Sequence, residues 1–339
     1  MALPSGTAGV FDPVNVAGVL FSKTDIRTPL FNMLGGVSVG SREFVTGSEY
    51  ELGAAGQPAI SETASLTAPV PTFTQRTQGK NVTQMFQRAV AITYRKMSDT
   101  ETLTGLNLAG LSNNVPSERA FQIAARVAEI RNDIEYTIIN GVYSLATTPD
   151  TIDKTRGLIA AITTNVTAAA TAELSPSMLI DVARKIAMTS PLGLSGVVGI
   201  LNPEQIVQLN KIILNEGQRA SMSDAGSNLT TYLTPFGRLN FLEGGHRYMP
   251  NGTAIFANLG SCHNVLQPVP GKGNFFYEEL AKVGAAETGE IFGQWGLDYN
   301  HEWTHAKITG LKTTTAAPTG LPVQVTNPST SPVYVANMS

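Results

Sequence analysis

Apolar residues in the middle of the chain recur with the period of an α-helix. After the helix-start cluster at residues 116–118, successive apolar positions are spaced by three or four residues, which places them on one face of a helix. These positions are Ile123, Val127, Ile130, Ile134, Ile138, Val142 and Leu145. Charged residues occupy the other faces, among them the i,i+4 pair Arg131 and Glu135. The pattern predicts one long helix over residues 117–145.

Two further helices and a set of strands are predicted in the second half of the chain. One helix begins at Ser175-Pro176 and the other at Asn202-Pro203, because a capping residue followed by proline starts a helix. Residues 215–231 are rich in Gly, Ser and Asn and predict a mobile loop. Apolar runs bounded by glycine predict strands at 197–201, 238–242, 254–259, 264–269 and about 290–311. The fold class is therefore α+β.

The first part of the chain predicts an arm followed by a projecting hairpin. Residues 1–46 show no sustained period and predict an extended arm. Prolines interrupt strand-like sequence between residues 47 and 95, and proline confines strands to edge or isolated positions. A long hairpin over 47–95 is favoured, with a return strand that carries Val82, Met85, Phe86, Val90 and Ile92. Because an isolated hairpin is marginal in water, we expect residues 47–80 to lie across an adjacent subunit.

The C-terminal segment 313–339 contains no charged residue. Val323 to Val325 and Val333 to Val335 alternate as a strand does, whereas four prolines keep the segment out of a sheet centre. We expect an extended tail that pairs at a sheet edge of its own or a neighbouring subunit.

Composition favours a chain that lives in an assembly. Only 14% of its residues are charged, against about 25% in an ordinary soluble domain. The 23 Lys+Arg and 26 Asp+Glu residues give a net charge of −3, so the surface must be largely neutral or covered by a partner. Such a balance excludes a dedicated nucleic-acid binder and predicts only weak, non-specific contact with DNA. The single cysteine, Cys262, excludes an intrachain disulfide, and no segment predicts a membrane span or a secretion signal.

One motif has the spacing of a catalytic zinc site. His301, Glu302 and His305 fit H-E-x-x-H, in which a helix presents two histidines to one Zn²⁺ and the glutamate acts as general base. The flanking sequence predicts a strand instead, where the two histidines stand about 13 Å apart. No His, Asp, Glu or Cys follows His305 as a third ligand. The adjacent Cys262 and His263 would point to opposite faces of a strand and so could not act together as a nucleophile and its base. The sequence therefore predicts no catalytic residue, metal or cofactor.

The order of these parts resembles that of the HK97-fold major capsid proteins of tailed bacteriophages. Particular segments are similar to the branch typified by phage SU10. They are 25–35 in the arm, 81–86 after the hairpin, 129–135 in the long helix and 155–158 after it. The resemblance covers most of residues 20–312. It implies an HK97 capsid fold in which the long helix is the spine helix.

The resemblance also implies a domain division and a function. Its expected parts are an N-terminal arm 1–46, an E-loop 47–95, a peripheral domain 96–195 and 285–312, an axial domain 196–284 and a tail 313–339. The expected function is a non-enzymatic major head protein that self-assembles into pentamers and hexamers of an icosahedral shell around double-stranded DNA. The chain is then part of the virion, assembled in the cytoplasm of the host bacterium. A zinc metalloprotease and another virion component, such as a tail or decoration protein, are the alternatives.

The resemblance implies further partners as well. Because arm-like sequence begins almost at Met1, we expect no fused scaffolding domain. A separate scaffolding protein is expected, together with a portal and decoration proteins. Some members of this fold crosslink an E-loop lysine, but nothing in the sequence marks Lys80 as poised for that reaction.

Overall fold

The computed structural model describes residues 27–97, 118–215, 229–282 and 284–313. The arm before Arg27, most of the predicted loop and the tail after Thr313 lie outside the described residues. The helices are α1 (Pro29–Met33), α2 (Glu62–Ser65), α3 (Tyr94–Met97), α4 (Glu118–Asn140), α5 (Leu158–Ala161), α6 (Pro176–Thr189) and α7 (Pro203–Asn215). No helix among the described residues is long and apolar enough to cross a membrane.

The described strands form two sheets and a separate two-stranded ribbon. They are β1 (Gly35–Ser38), β2 (Glu43–Tyr50), β3 (Arg76–Val82), β4 (Gln84–Thr93), β5 (Val166–Ala168), β6 (Val197–Ile200), β7 (Leu229–Thr234), β8 (Gly237–Leu242), β9 (Thr253–Asn258), β10 (His263–Leu266), β11 (Phe275–Glu279), β12 (Ala286–Asp298) and β13 (Ala306–Thr309). The first sheet has the order β1-β10-β12-β11, and β4 also pairs with β12. The second has the order β5-β13-β9-β6-β8-β7, while β2 and β3 form the ribbon.

Strand β9 separates two hydrophobic cores. Ala254 and Phe256 point into the core formed with α6 and α7, whereas Ile255 and Ala257 point into the core shared with α4 and the first sheet. Successive side chains of a strand face opposite sides, and both sides of this strand are covered. The second sheet is therefore a central layer between helices.

Helix α4 confirms the predicted periodicity but is shorter than predicted. It ends at Asn140 rather than at residue 145, and 23 residues make a rod of about 34 Å. A Cβ atom on the next residue, Gly141, would lie 2.6 Å from the carbonyl oxygen of Thr155. The backbone therefore turns away because another segment crosses directly at the helix end. Val127 and Val142, which the stripe placed inward, are exposed.

The sequence predicted that Glu135 pairs with Arg131 on the surface of the helix, but the two side chains do not pair. The Glu135 side chain is completely buried, and Arg131 bonds instead to Thr28 and Asn32 of the arm. The arm itself is not wholly extended, since it forms the short helix α1 and the edge strand β1.

The ribbon is shorter than the predicted hairpin. Strands β2 and β3 pair from Glu43–Val82 to Tyr50–Arg76. Of the residues assigned to the return strand, only Val82 belongs to it. The others, Met85, Phe86, Val90 and Ile92, lie on β4, which pairs with β12 in the first sheet. Residues 84–93 therefore form part of the body and do not project.

The predicted closing strand at 290–311 is two strands in different sheets. Strand β12 belongs to the first sheet and β13 to the second, and a short 3-10 turn at Glu302–Thr304 lies between them. Asn300 just before the turn has a positive φ of 54°, which ends the extended run. The other predicted strands agree with the structure to within a few residues.

Candidate assembly surfaces

The outer part of the ribbon is an apolar surface without a core. Every residue from 48 to 80 is exposed. Phe73, Leu66 and Val70 have 90%, 86% and 85% of their surface exposed, and Tyr50, Leu52 and Ile60 are also exposed. An apolar surface of this extent on one projection is typical of a segment that is covered in an assembly.

The base of the ribbon is fixed to the body by one buried amide. The Asn81 side chain is fully buried, and its Nδ2 donates to the carbonyl oxygens of Leu297 at 2.8 Å and Arg156 at 3.2 Å. Its Oδ1 accepts the backbone N–H groups of Arg156 at 2.8 Å and Val82 at 3.0 Å. All of the hydrogen-bonding capacity is used, so the amide holds β3 at one position between the first sheet and residue 156.

A second contact holds the ribbon farther out. Trp303 Nε1 donates to Glu49 Oε2 at 2.7 Å, and the His301 ring stacks on Trp303 with a centroid distance of 4.8 Å. Strand β2 passes so close to His301 that a Cβ atom on Gly47 would lie 2.9 Å from the ring Nδ1. His301, the first histidine of the H-E-x-x-H motif, therefore contacts the ribbon.

The other motif residues also bind neighbouring segments. Glu302 accepts the N–H groups of Thr163 at 2.9 Å and Thr164 at 3.1 Å, and it bonds to the Thr164 hydroxyl. Burial alone would raise the pKa of the Glu302 carboxyl, but these hydrogen bonds outweigh it and hold the pKa below its usual value. The segment is a 3-10 turn, neither the strand predicted from sequence nor the helix of a zinc site. Among the described residues, no group of three potential metal ligands occurs.

His305 is a buried neutral histidine. Its Nδ1 accepts the N–H of Asn258 at 3.0 Å, so Nε2 carries the proton and donates to the carbonyl oxygen of Tyr299 at 2.6 Å. The Cys262 sulfur lies 4.0 Å from Nε2, a neighbour that the sequence did not indicate. Burial raises the pKa of the Cys262 thiol, so this pair lacks the thiolate that a nucleophile needs.

A cavity of about 180 Å³ lies at the ribbon base, lined in part by Thr46, Arg156, Tyr299 and Glu302. The buried Thr46 hydroxyl has no hydrogen-bond partner within the residues that the structure describes. The ribbon is held at its base by these polar contacts together with the buried side chains of Phe44 and Val82.

Comparison with known families identifies the family to which the chain belongs. Residues 3–312 match the family described as SU10 major capsid protein. The chain belongs to the SU10 major capsid protein family. Its function is that of a phage major capsid protein, which makes it a virion component. The resemblance seen in the sequence is confirmed.

Solved capsid structures share the fold of this family member. The holo-SrpI encapsulin complex from Synechococcus elongatus PCC 7942 has a TM-score of 0.59 at 11% identity, covering 92% of this chain and 96% of that chain. The capsid of the native GTA particle has a TM-score of 0.59 at 14% identity, covering 91% of this chain and 100% of that chain. The structure from Mycobacterium phage Patience has a TM-score of 0.53 at 11% identity, covering 84% of this chain and 83% of that chain. The predicted HK97 capsid fold is confirmed. The comparison with curated proteins gives no match.

Metal analysis separates the structural role of the motif from a catalytic one. We expect purified protein to contain far less than one zinc per chain, because the ligands of a zinc site do not converge at His301, Glu302 and His305 in the described structure. The Glu302→Gln variant should bind as little zinc as the wild type and show the same background in a protease assay. Stoichiometric zinc together with proteolysis lost in Glu302→Gln would contradict this assignment.

The buried state of His305 predicts a loss of stability in acid. Burial lowers its pKa from the ordinary 6.5, so the unfolded chain takes up a proton below that pH while the folded chain does not. Stability from this group is therefore present above about pH 6.5 and is lost as the pH falls, by at most ~1.4 kcal/mol per pH unit. The free energy of unfolding, measured by chemical denaturation between about pH 7 and pH 5.5, should fall less steeply with decreasing pH in His305→Gln than in the wild type. An equally steep fall in both proteins would contradict the assignment.

Proposed function

We propose that this capsid protein builds an icosahedral shell of hexamers and pentamers around double-stranded DNA, and that the ribbon joins neighbouring subunits. The observation that carries the proposal is an exposed apolar ribbon tip on a firmly anchored base. Within the described part of one chain, residues 48–80 are all exposed. A second copy of the chain supplies a surface that covers them, and burying these side chains there gains about 25 cal/mol per Å².

The domain division follows from the same proposal. We assign residues 1–42 to the N-terminal arm and residues 43–82 to the E-loop, in place of the expected boundaries 1–46 and 47–95. Helix α4 and strand β12 belong to the peripheral domain 96–195 and 285–312, and residues 196–284 form the axial domain. Assembly in the cytoplasm of the host bacterium with a separate scaffolding protein, a portal and decoration proteins completes the proposal.

We propose a structural and not a catalytic role for the polar clusters. Glu302 and His305 bind different segments through their hydrogen-bonding atoms, and the His301 ring stacks on Trp303 beside the ribbon. Removal of any one of them should affect stability or ribbon position without removing a chemical step.

Electron microscopy of the purified expressed protein, with and without its scaffolding protein, tests the shell assignment. Closed particles with five-fold vertices are expected. Tubes or open helical filaments built from this chain would overturn the assignment, because their contacts do not close.

The charge balance predicts that confinement, and not binding, retains the genome. With 23 basic and 26 acidic residues, the subunit has little capacity to neutralise phosphates. Fluorescence anisotropy with duplex DNA at physiological salt should give a dissociation constant weaker than micromolar. Submicromolar affinity with a steep salt dependence would contradict this prediction.

A further inference from the structure

The chain contains two Asn-Gly pairs, and the fold holds them in different ways. They are Asn140-Gly141 at the end of α4 and Asn251-Gly252 just before β9. Because glycine has no Cβ atom, its backbone nitrogen is poorly shielded from the side chain of the asparagine that precedes it. An Asn-Gly pair can therefore react with itself where both of its groups are free to meet.

Asn251 and Gly252 are the central residues of an exposed turn. The N–H of Thr253 donates to the carbonyl oxygen of Pro250 at 3.1 Å, which closes a β-turn around the pair. Asn251 is exposed, and within the described residues its side chain makes no hydrogen bond. The N–H of Gly252 likewise has no acceptor in the described part of the chain. Both groups of this pair are therefore free to meet.

The pair Asn140-Gly141 provides an internal control, because both of its groups are held. Asn140 Nδ2 donates to the carbonyl oxygen of Tyr248 at 2.8 Å, and the N–H of Gly141 donates to the carbonyl oxygen of Thr137 at 2.9 Å. Gly141 is also buried where the segment at Thr155 crosses the end of α4. These two hydrogen bonds must break before the Gly141 nitrogen can reach the Asn140 side chain.

The carbonyl oxygens of the Asn251 turn fix the point at which the C-terminal segment leaves the body. Gln205 of α7 is buried, and its Nε2 donates to the carbonyl oxygens of Asn251 at 3.0 Å and Lys312 at 3.1 Å. The carbonyl oxygen of Gly252 accepts the N–H of Leu311 at 2.9 Å. A change in the backbone of the turn therefore displaces the groups that hold residues 311 and 312.

We propose that Asn251 is a site of spontaneous deamidation, and that this modification loosens the exit of the C-terminal segment. The Gly252 nitrogen attacks Cγ of Asn251, and the new N–Cγ bond closes a succinimide ring as the Cγ–Nδ2 bond breaks. The proton of the Gly252 nitrogen leaves with the amide group as ammonia.

One water molecule then opens the succinimide ring in either of two ways. Cleavage of the N–Cγ bond gives aspartate at position 251. Cleavage of the bond between the Gly252 nitrogen and the α-carbonyl carbon of residue 251 gives isoaspartate instead. The isoaspartyl link adds a methylene group to the backbone of the turn, so the carbonyl oxygen of Gly252 moves relative to the N–H of Leu311.

Peptide mapping of the full-length protein by mass spectrometry tests the site. Peptides that contain Asn251 and Asn140 are followed during prolonged incubation at neutral pH, and replacement of the amide by a carboxyl group is read from the gain in mass. In the folded protein, Asn251 should be converted at least about tenfold faster than Asn140, because the hydrogen bonds of the second pair must open first. In the chain unfolded by denaturant, the two pairs should be converted at similar rates.

The Gly252→Ala variant identifies the attacking group. A Cβ atom at this position would lie 3.4 Å from the carbonyl oxygen of Leu311, an ordinary contact that the fold accommodates. The added methyl group shields the nitrogen, so conversion of Asn251 should slow severalfold. Gly40→Ala, at a glycine with open space around it, is the matched control and should leave the rate at Asn251 unchanged.

Hydrogen exchange of the deamidated fraction, separated by ion exchange, tests the consequence for the C-terminal exit. A peptide that covers residues 306–312 should lose protection severalfold at the Leu311 amide, whereas a peptide from α4 should keep its protection. Equal protection at Leu311 in the modified and unmodified fractions would overturn the link to the C-terminal exit.

The deamidation site is overturned if Asn251 stays unmodified in the folded protein, or if Asn251 and Asn140 are converted there at equal rates. Unchanged conversion in Gly252→Ala would also overturn it, since the Gly252 nitrogen would then not be the attacking group. Should Gly252→Ala fail to fold, the rates of the two wild-type pairs decide the question alone.

Discussion

A chain in which residues 51–75 are replaced by Asn-Gly is expected to fold as a monomer and to form no shells. Tyr50 and Arg76 are paired across β2 and β3, so a two-residue turn closes the shortened ribbon without strain. The removed residues are all exposed and contribute no core. Thermal and chemical denaturation should therefore agree with the wild type to within about 1 kcal/mol, whereas light scattering and electron microscopy should find no particles.

Point variants at the ribbon tip refine this test. Phe73 is 90% exposed, so Phe73→Asp should leave the monomer stable but reduce assembly strongly, because a charge would have to be buried against the neighbour. Phe73→Leu keeps an apolar side chain and serves as the control, with near-normal assembly. Normal shells from the shortened chain would show that the ribbon does not join subunits.

Asn81→Asp is expected to destabilise the folded chain by about 3–5 kcal/mol. The variant has nearly the same shape, but it loses both N–H donors and turns carboxylate oxygens toward the carbonyl oxygens of Leu297 and Arg156. The measurement is the free energy of unfolding in denaturant at neutral pH.

Asn210→Asp provides the matched control for this measurement. Asn210 is exposed on α7, so the same chemical change should alter stability by less than about 0.5 kcal/mol. A loss at Asn81 as small as that at Asn210 would contradict the claim that the buried amide anchors the ribbon.

Elements with local signals could be predicted from the sequence. The start of α6 follows from Ser175-Pro176 and that of α7 from Asn202-Pro203, since capping and proline geometry act within one turn. The spacing of Ile130, Ile134 and Ile138 likewise identified the buried face of α4. These features depend on neighbours within a few residues in the chain.

Features that depend on distant partners could not be predicted in this way. Strand β4 continues the strand-like sequence of the ribbon, yet it pairs with β12, about 200 residues later. Glu135 has the spacing of a surface ion pair, and only the arm backbone and His246, each about 100 residues away, make its burial possible. His305 similarly has a catalytic spacing but binds Asn258 of β9. Local spacing carries no information about such partners.

A cryo-electron microscopy map of the assembled shell tests the central claim most directly. The account predicts closed particles in which the apolar tip of each ribbon, around Leu66, Val70 and Phe73, packs against the body of a neighbouring copy while Asn81 keeps its bonds at the base. Shells in which the ribbon folds back on its own subunit, or projects into solvent without contacting a neighbour, would contradict it.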